Sequence, residues 1–183
     1  PDNKIEKADC KNRSRLSPNA AASYMLDTTG NSNHEVSMPA PQPGIFVTQT
    51  AHHHFLEYKI DPASDIGALK NAIRSVLALA DDENQMVMSF GAALWDRLSP
   101  AMRPAALEDF SAIDGGTEDQ RAPSTQRDLF IWLRNDVHAD ILDLAVAIHQ
   151  RLSAVAKVEF DLPGFVYRDS RDLISFVDGT ANP

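Results

Sequence analysis

The amino-acid sequence predicts an α+β domain of the split β-α-β, ferredoxin-like type, with a four-stranded antiparallel sheet and two helices on one of its faces. Three observations lead there. Short stretches alternate apolar and polar residues with the period of a strand, and two longer stretches repeat apolar residues with the period of a helix. Their order along the chain is strand, helix, strand, strand, helix, strand. Hydrophobic residues make up 43% of the 183 residues, enough for such a domain to bury a core.

The first strand is expected at Phe55–Ile60, with Leu56, Tyr58 and Ile60 on one face. Asp61-Pro62-Ala63-Ser64 reads as a helix start, a capping side chain followed by a proline tolerated in the first turn. Ile66, Leu69, Ile73, Val76, Leu77 and Ala80 then keep helical spacing, so the helix is expected over 62–80. Gln85–Gly91 is the second strand, and Ala92–Leu98 a short helix stopped by Ser99-Pro100. Residues 100–127, rich in Pro, Gly, Asp and Ser, read as a long surface excursion. The apolar run Leu129-Phe130-Ile131-Trp132-Leu133 suits a buried central strand over Asp128–Arg134. Asp136 is positioned to cap a second long helix striped by Val137, Ile141, Leu144, Ile148 and Leu152. Last, Val158, Phe160 and Leu162 alternate with Lys157, Glu159 and Asp161, predicting a half-buried fourth strand. The sheet face without helices requires some other cover.

Residues 1–43 differ in composition, being rich in Asn, Ser, Ala, Asp and Lys without a sustained period. They read as a flexible N-terminal extension, with a short helical turn at Ala20–Leu26 and a stiff Pro39/Pro41/Pro43 linker leading to the domain at 44–183. The net charge of -9 without a basic stripe argues against nucleic acid as a partner. No apolar run is long enough for a transmembrane helix, and no targeting segment is visible, which with a single cysteine favours a cytoplasmic location. Cys10 sits among lysines in a polar stretch and reads as a spare exposed thiol.

The chemistry concentrates in the last twenty residues. Gly164-Phe165-Val166-Tyr167-Arg168-Asp169-Ser170-Arg171-Asp172-Leu173 crowds charges beside aromatics and runs into Ile174-Ser175-Phe176-Val177-Asp178-Gly179-Thr180-Ala181-Asn182-Pro183. Asp178-Gly179 is a turn signal. A carboxylate on such a turn is either simply solvated or, flanked by apolar residues, presented to a dry pocket where a raised pKa suits proton transfer. Three consecutive histidines, His52-His53-His54, on a strand point to opposite faces and converge poorly on one metal; the bland alternative is a solvated strand edge. His138 and His149 share a helix face about three turns apart, too far to ligate one ion. Trp132 reads as core, and Trp95 as packing on the short helix.

Arg-Asp-Leu at 171–173, Phe-Val-Asp-Gly-Thr at 176–180 and Asn182-Pro183 resemble the heme-pocket signature of dye-decolorizing (DyP-type) peroxidases. Ala122-Pro123-Ser124-Thr125-Gln126-Arg127-Asp128-Leu129, Pro41-Gln42-Pro43-Gly44-Ile45, and Phe90-Gly91 followed by Trp95 resemble further landmarks of that family, so the resemblance spans 41–183 in order. It implies a fold of the dimeric α+β barrel superfamily and heme b as cofactor. Hydrogen peroxide and a reducing organic substrate or dye are the implied partners, and a homo-oligomer the implied assembly. Asp178 would be the distal acid–base catalyst; Val177, Gly179, Thr180 and Asn182 would line the heme, with Phe176 packed beneath their loop. The family's proximal histidine and distal arginine lie downstream of the Asp-Gly-Thr motif, so no metal ligand carries over and the chain is expected to need a C-terminal domain for activity. The family motif begins with glycine where this chain has Ser175, a substitution that is strained if the position requires positive φ. Two other readings fit the same residues: a non-catalytic ferredoxin-like module for oligomerisation or ligand binding, and a small α+β-barrel enzyme using Asp178 or the histidines on another substrate.

Overall fold

The structure, a computed structural model, describes residues 41–47, 50–80 and 85–177. Among these residues, six strands, β1 His52–Ile60, β2 Gln85–Phe90, β3 Ile113–Asp114, β4 Arg121–Ala122, β5 Leu129–Asn135 and β6 Ala156–Phe165, combine with three helices, α1 Ile66–Leu77, α2 Ala92–Leu98 and α3 His138–Leu152. β1, β2, β5 and β6 form one antiparallel sheet in the order β2-β5-β1-β6. The expected split β-α-β arrangement is present. β3 and β4 pair as a small ribbon inside the excursion before β5.

Alternation along the strands separates the two faces. Leu56, Tyr58 and Ile60 of β1, Met86 and Met88 of β2, and Leu129, Ile131 and Leu133 of β5 are buried against Leu69, Ile73, Val76 and Leu77 of α1 and Ile141, Leu144, Ile148 and Leu152 of α3. Burial of each large aliphatic side chain contributes about 1.5–3 kcal/mol, so this single interface carries the fold. The opposite face holds His53, Phe55 and Glu57 of β1 against Arg134, Trp132 and Phe130 of β5.

Local chemistry moves several boundaries. α1 starts at Ile66, not at residue 62, because Asp65 is the cap: its carboxylate accepts the Ala68 N–H at 2.9 Å. Asp61 instead closes a tight turn. It accepts from the Ala63 N–H at 2.8 Å through its side chain and from the Ser64 N–H at 3.0 Å through its carbonyl. α3 begins after Val137, and Asp136 does not cap it; the carboxylate accepts from the Ala51 N–H at 3.0 Å and ties the start of α3 to the start of β1. β1 begins at His52, so the three histidines lie within the strand and not at a solvated edge.

β6 departs most from expectation. Between Glu57 and Tyr58 the register shifts, so that Val158 opposes Tyr58 while Phe160 opposes Glu57. This bulge splits the apolar set that strict alternation placed on one face. Phe160 and Leu162 project from the helix-free face, 43% and 49% exposed, and Asp161, expected in solvent, is turned toward the helices. Phe130 and Trp132 likewise lie half-buried on the open face, so the β5 run is not core on both sides.

The start of the described chain is anchored at the other edge of the sheet. The Gln42 amide donates to the Met88 carbonyl at 2.8 Å and its oxygen accepts the Met88 N–H at 2.9 Å. One side chain thus imitates a strand partner along the β2 edge. Gly44 follows in a short 3-10 turn. A Cβ there would stand 2.9 Å from the Met86 carbonyl and from Val87 Cγ2, so the backbone approaches β2 as only glycine allows.

Candidate functional site

Beyond β6 the chain turns back on itself and builds a loop held by its own side chains. The Val166 N–H donates to the Ala51 carbonyl at 2.8 Å, fixing where the loop leaves the sheet. Arg171 forks onto Asp169, Nε to Oδ1 at 2.7 Å and Nη2 to Oδ2 at 3.1 Å, and its Nη1 donates to the Ser175 carbonyl at 3.0 Å. Such a two-pronged, charge-assisted pair fixes direction as well as distance. Asp172 Oδ1 accepts the N–H groups of Ile174 and Phe176, each at 3.0 Å, while the Asp172 N–H donates to the Phe176 carbonyl at 3.0 Å. Arg171 and Val177 form a β-bridge that closes the loop. The hydrogen bond from Arg171 holds the Asp169 carboxyl below its usual range, and the pairing raises the Arg171 guanidinium in turn.

The loop is strained. Arg168, Ser170 and Ser175 adopt positive φ of 49°, 65° and 80°. Each such non-glycine residue costs about 1–3 kcal/mol and persists only where surrounding bonds over-determine it. The resemblance put glycine at position 175, and the backbone there does take the conformation that glycine favours. The loop's apolar residues face outward: Leu173 is 73%, Ile174 74% and Phe176 49% exposed. Phe176 and Val177 thus stand at the closing end of a pre-shaped loop. Asp178, Gly179, Thr180 and Asn182 lie outside the described residues, as does the expected turn at Ala20–Leu26.

The described histidines are engaged elsewhere. Trp132 Nε1–H donates to His53 Nδ1 at 3.0 Å, so the His53 proton sits on Nε2, 3.2 Å from the Thr50 carbonyl that accepts it. Burial depresses the His53 pKa below its ordinary 6.5, with the neighbouring Arg134 and His52 charges adding to it against the Thr50 bond. Desolvation acts in this direction because it penalises the charged imidazolium. Arg134 stacks over the Trp132 ring, 4.2 Å from its centroid, and donates to the Val47 carbonyl at 2.7 Å. The cation is attracted to the negative face of the indole. With Phe55 stacked on Trp132 at 5.9 Å, these residues make an aromatic stripe on the open sheet face.

On the helix face lies a second polar cluster that the sequence reading did not find. Tyr58 Oη lies 2.7 Å from His149 Nδ1. His149 Nε2 lies 2.8 Å from Asp161 Oδ2, and His54 Nε2 lies 2.5 Å from Asp161 Oδ1. Burial pulls the Asp161 carboxyl up, but the bonds from His54 and His149 outweigh it and hold the group ionised. Burial, reinforced by the Asp161 charge, raises the Tyr58 phenol. The four residues come from β1, α3 and β6, and only the bulge brings Asp161 to this face, so no local motif announces them.

These positions bear on heme. Among the described residues no three histidine, cysteine or acidic side chains are grouped to hold a metal ion. His53, His54 and His149 are committed to Trp132, Asp161 and Tyr58, and the His52 ring lies against His138 at 5.2 Å. The exposed apolar loop ending at Val177 fits one side of a flat apolar macrocycle.

Comparison with known proteins agrees with this geometry. The family model described as Dyp-type peroxidase, N-terminal, matches residues 42–166. A dye-decolorizing peroxidase of Rhodococcus erythropolis is 31% identical over 145 residues, 79% of this chain and 41% of the relative. One from Mycolicibacterium paratuberculosis is 33% identical over 150 residues, 78% of this chain and 42% of the relative. Among solved structures, a dye-decolorizing peroxidase from Bacteroides thetaiotaomicron superposes with a TM-score of 0.60 at 30% identity, over 75% of this chain and 47% of that one. A Rhodococcus jostii RHA1 DypB variant in complex with heme superposes with a TM-score of 0.61 at 31% identity, over 79% of this chain and 48% of that one. The chain thus spans less than half the length of these relatives. With 42–166 matched in sequence and the sheet and helices matched in space, the chain belongs to the DyP-type peroxidase family and corresponds to its N-terminal domain.

Proposed function

We propose that this chain forms the distal side of a heme-dependent dye-decolorizing peroxidase, which reduces hydrogen peroxide and oxidises an organic substrate. The carrying observation is the braced loop of residues 167–177, which immediately precedes Asp178 in the sequence and keeps a positive φ where the family motif has glycine. Heme b would rest against Phe176, Val177, Gly179, Thr180 and Asn182, and when bound it supplies the iron at which peroxide is activated. Asp178 would take the proton from one oxygen of hydrogen peroxide and return it to the other, which would leave as water when the O–O bond breaks, the two electrons for that cleavage being what the heme would supply. The Arg171 and Asp172 bonds hold the backbone as far as Phe176 and Val177, so that this part of the loop does not have to be ordered at the moment of reaction. The iron ligand comes from a second domain, so activity requires that domain together with this one. We also read the working protein as a cytoplasmic homo-oligomer, on the strength of the single cysteine and the exposed apolar stripe. No helix among the described residues is long and apolar enough to cross a membrane.

The test is heme titration of this chain alone and joined to the C-terminal domain of a relative, followed by the Soret band and peroxide kinetics. A heme-binding, peroxide-consuming joined protein is expected. In it Asp178→Ala should slow peroxide consumption about 10²–10⁴-fold, as loss of a general acid–base group does, while the Soret band persists. Heme loss from a folded Asp178→Ala protein would make Asp178 a structural residue. A chain that self-associates and binds no heme in either form would instead favour a non-catalytic oligomerisation module, consistent with exposed Phe160 and Leu162.

A further inference from the structure

The Tyr58–His149–Asp161–His54 cluster takes no part in the reading above, and it sets a buried phenol on a histidine that a carboxylate orients. Tyr58 is 1% exposed, and its hydroxyl bonds His149 Nδ1 at 2.7 Å. His149 Nε2 is held by the Asp161 carboxylate at 2.8 Å, which fixes the ring so that Nδ1 presents its lone pair to the phenol. His54 bonds the other Asp161 oxygen and locks the carboxylate in place. The side chains of His149 and Asp161 are 29% and 44% exposed, so the phenol is dry while its proton acceptor borders water.

We propose that Tyr58 is a proton-coupled one-electron donor, with His149 as its proton acceptor and Asp161 as the group that positions and charges that acceptor. In the step, Tyr58 loses one electron to a one-electron oxidant and the phenolic O–H bond breaks. The proton forms a new bond to His149 Nδ1, giving a neutral phenoxyl radical and an imidazolium whose Nε2–H faces the Asp161 carboxylate. The oxidant is reduced by that one electron. Return of the electron reverses both transfers. Burial makes the phenolate inaccessible at neutral pH, so the electron cannot leave from a deprotonated tyrosine and needs a base within hydrogen-bond reach. His149 is that base, and the paired carboxylate offsets the cost of creating its charge in a half-buried position. A purely structural network would serve equally well with a neutral amide at position 149.

The inference draws on the peroxidase reading for the source of oxidising equivalents in the cell, but its test does not. The full chain carrying Tyr24→Phe and Tyr167→Phe keeps Tyr58 as its one tyrosine. Photogenerated tris-bipyridyl ruthenium(III), a heme-independent one-electron oxidant, is applied and the radical is followed by transient absorption and freeze-quenched electron paramagnetic resonance. A tyrosyl signal that forms more slowly in deuterated water is expected. His149→Gln keeps an acceptor for the phenol but removes the base, and should slow formation about a hundredfold. Asp161→Asn should slow it less. Circular dichroism confirms that each variant is folded, and Tyr58→Phe supplies the blank. An unchanged rate in folded His149→Gln, or a radical on tryptophan with none on Tyr58, would overturn the proposal and leave the peroxidase reading untouched.

Discussion

Replacing Asp161 by alanine tests the helix-face cluster as a source of stability. The substitution removes acceptors from two histidines of unequal exposure. His54 is 5% exposed and its Nδ1 has no partner among the described residues, so without Asp161 the ring would sit in the core with both nitrogens unpaired. Stranding a buried polar group in this way costs about 1–3 kcal/mol. His149 is more exposed and water replaces its lost bond, adding about 0.5 kcal/mol at most. The expected loss is therefore about 2 kcal/mol. At roughly 3–5 °C per kcal/mol for a fold of this size, the midpoint falls by about 6–10 °C. Urea titrations at pH 7 measure the loss directly. The double variant is a sharper test: with His54→Leu added, no buried polar ring remains to be stranded and about 1–2 kcal/mol should return. Additive losses in Asp161→Ala/His54→Leu would refute the account, because they would mean that the carboxylate acts through something other than His54. The Asp161 pKa is depressed in the fold. Its contribution is therefore present above the ordinary carboxylate value of 3.8 and is lost as pH falls through the lower folded value. The charge-dependent part of the Asp161→Ala effect should accordingly vanish in titrations near that acid limit.

Three further outcomes follow from other parts of the structure. Ser175 holds a φ of 80°. Ser175→Gly removes that penalty and should stabilise the terminal loop by about 1 kcal/mol, seen as slower hydrogen exchange at the Phe176 amide; faster exchange would show that the serine side chain, not the backbone, sets this turn. Gln42→Ala deletes both bonds to Met88. It should cost about 1–2 kcal/mol in urea, with the m-value unchanged. His53, depressed by burial, contributes stability that is present above 6.5 and declines as pH falls below that value toward its folded pKa. By NMR it should titrate below 6.5, and move up in Trp132→Phe once the indole no longer donates to Nδ1.

Much of the architecture was legible because it depends on periods that the sequence carries locally. α1, α3 and β5 bury the residues that helical or strand spacing puts on one side, and the order of elements was enough to predict the sheet. Boundaries failed where two residues of similar chemistry compete for one job. Asp61 and Asp65 are both good caps, and only the geometry of the turn after β1 decides that the first closes the turn and the second caps α1. Asp136 lost its capping role to a tertiary bond with Ala51. β6 was misread because a bulge changes parity, and a one-residue offset exchanges the two faces of a strand. The same offset hid the Tyr58 cluster, whose members are up to 107 residues apart. For the terminal loop, the motif disclosed position 175 as one with a backbone preference, but the Arg171 and Asp172 bonds that impose it appear only in three dimensions.

The packing of Trp132 against Phe55 and Arg134 equips the protein with an optical reporter on its open face. Indole emission is sensitive to the polarity around the ring and to nearby cationic quenchers, and here Arg134 lies 4.2 Å from the ring centroid. Whatever settles over that face, a second domain or another copy, will displace water from Trp132 and change its colour and lifetime. Trp95, carried on α2, set edge-on to Phe90 and packed against the core, is not part of that stripe and serves as the internal reference. Assembly can thus be followed in the unlabelled protein, and the two tryptophans separated by Trp95→Phe.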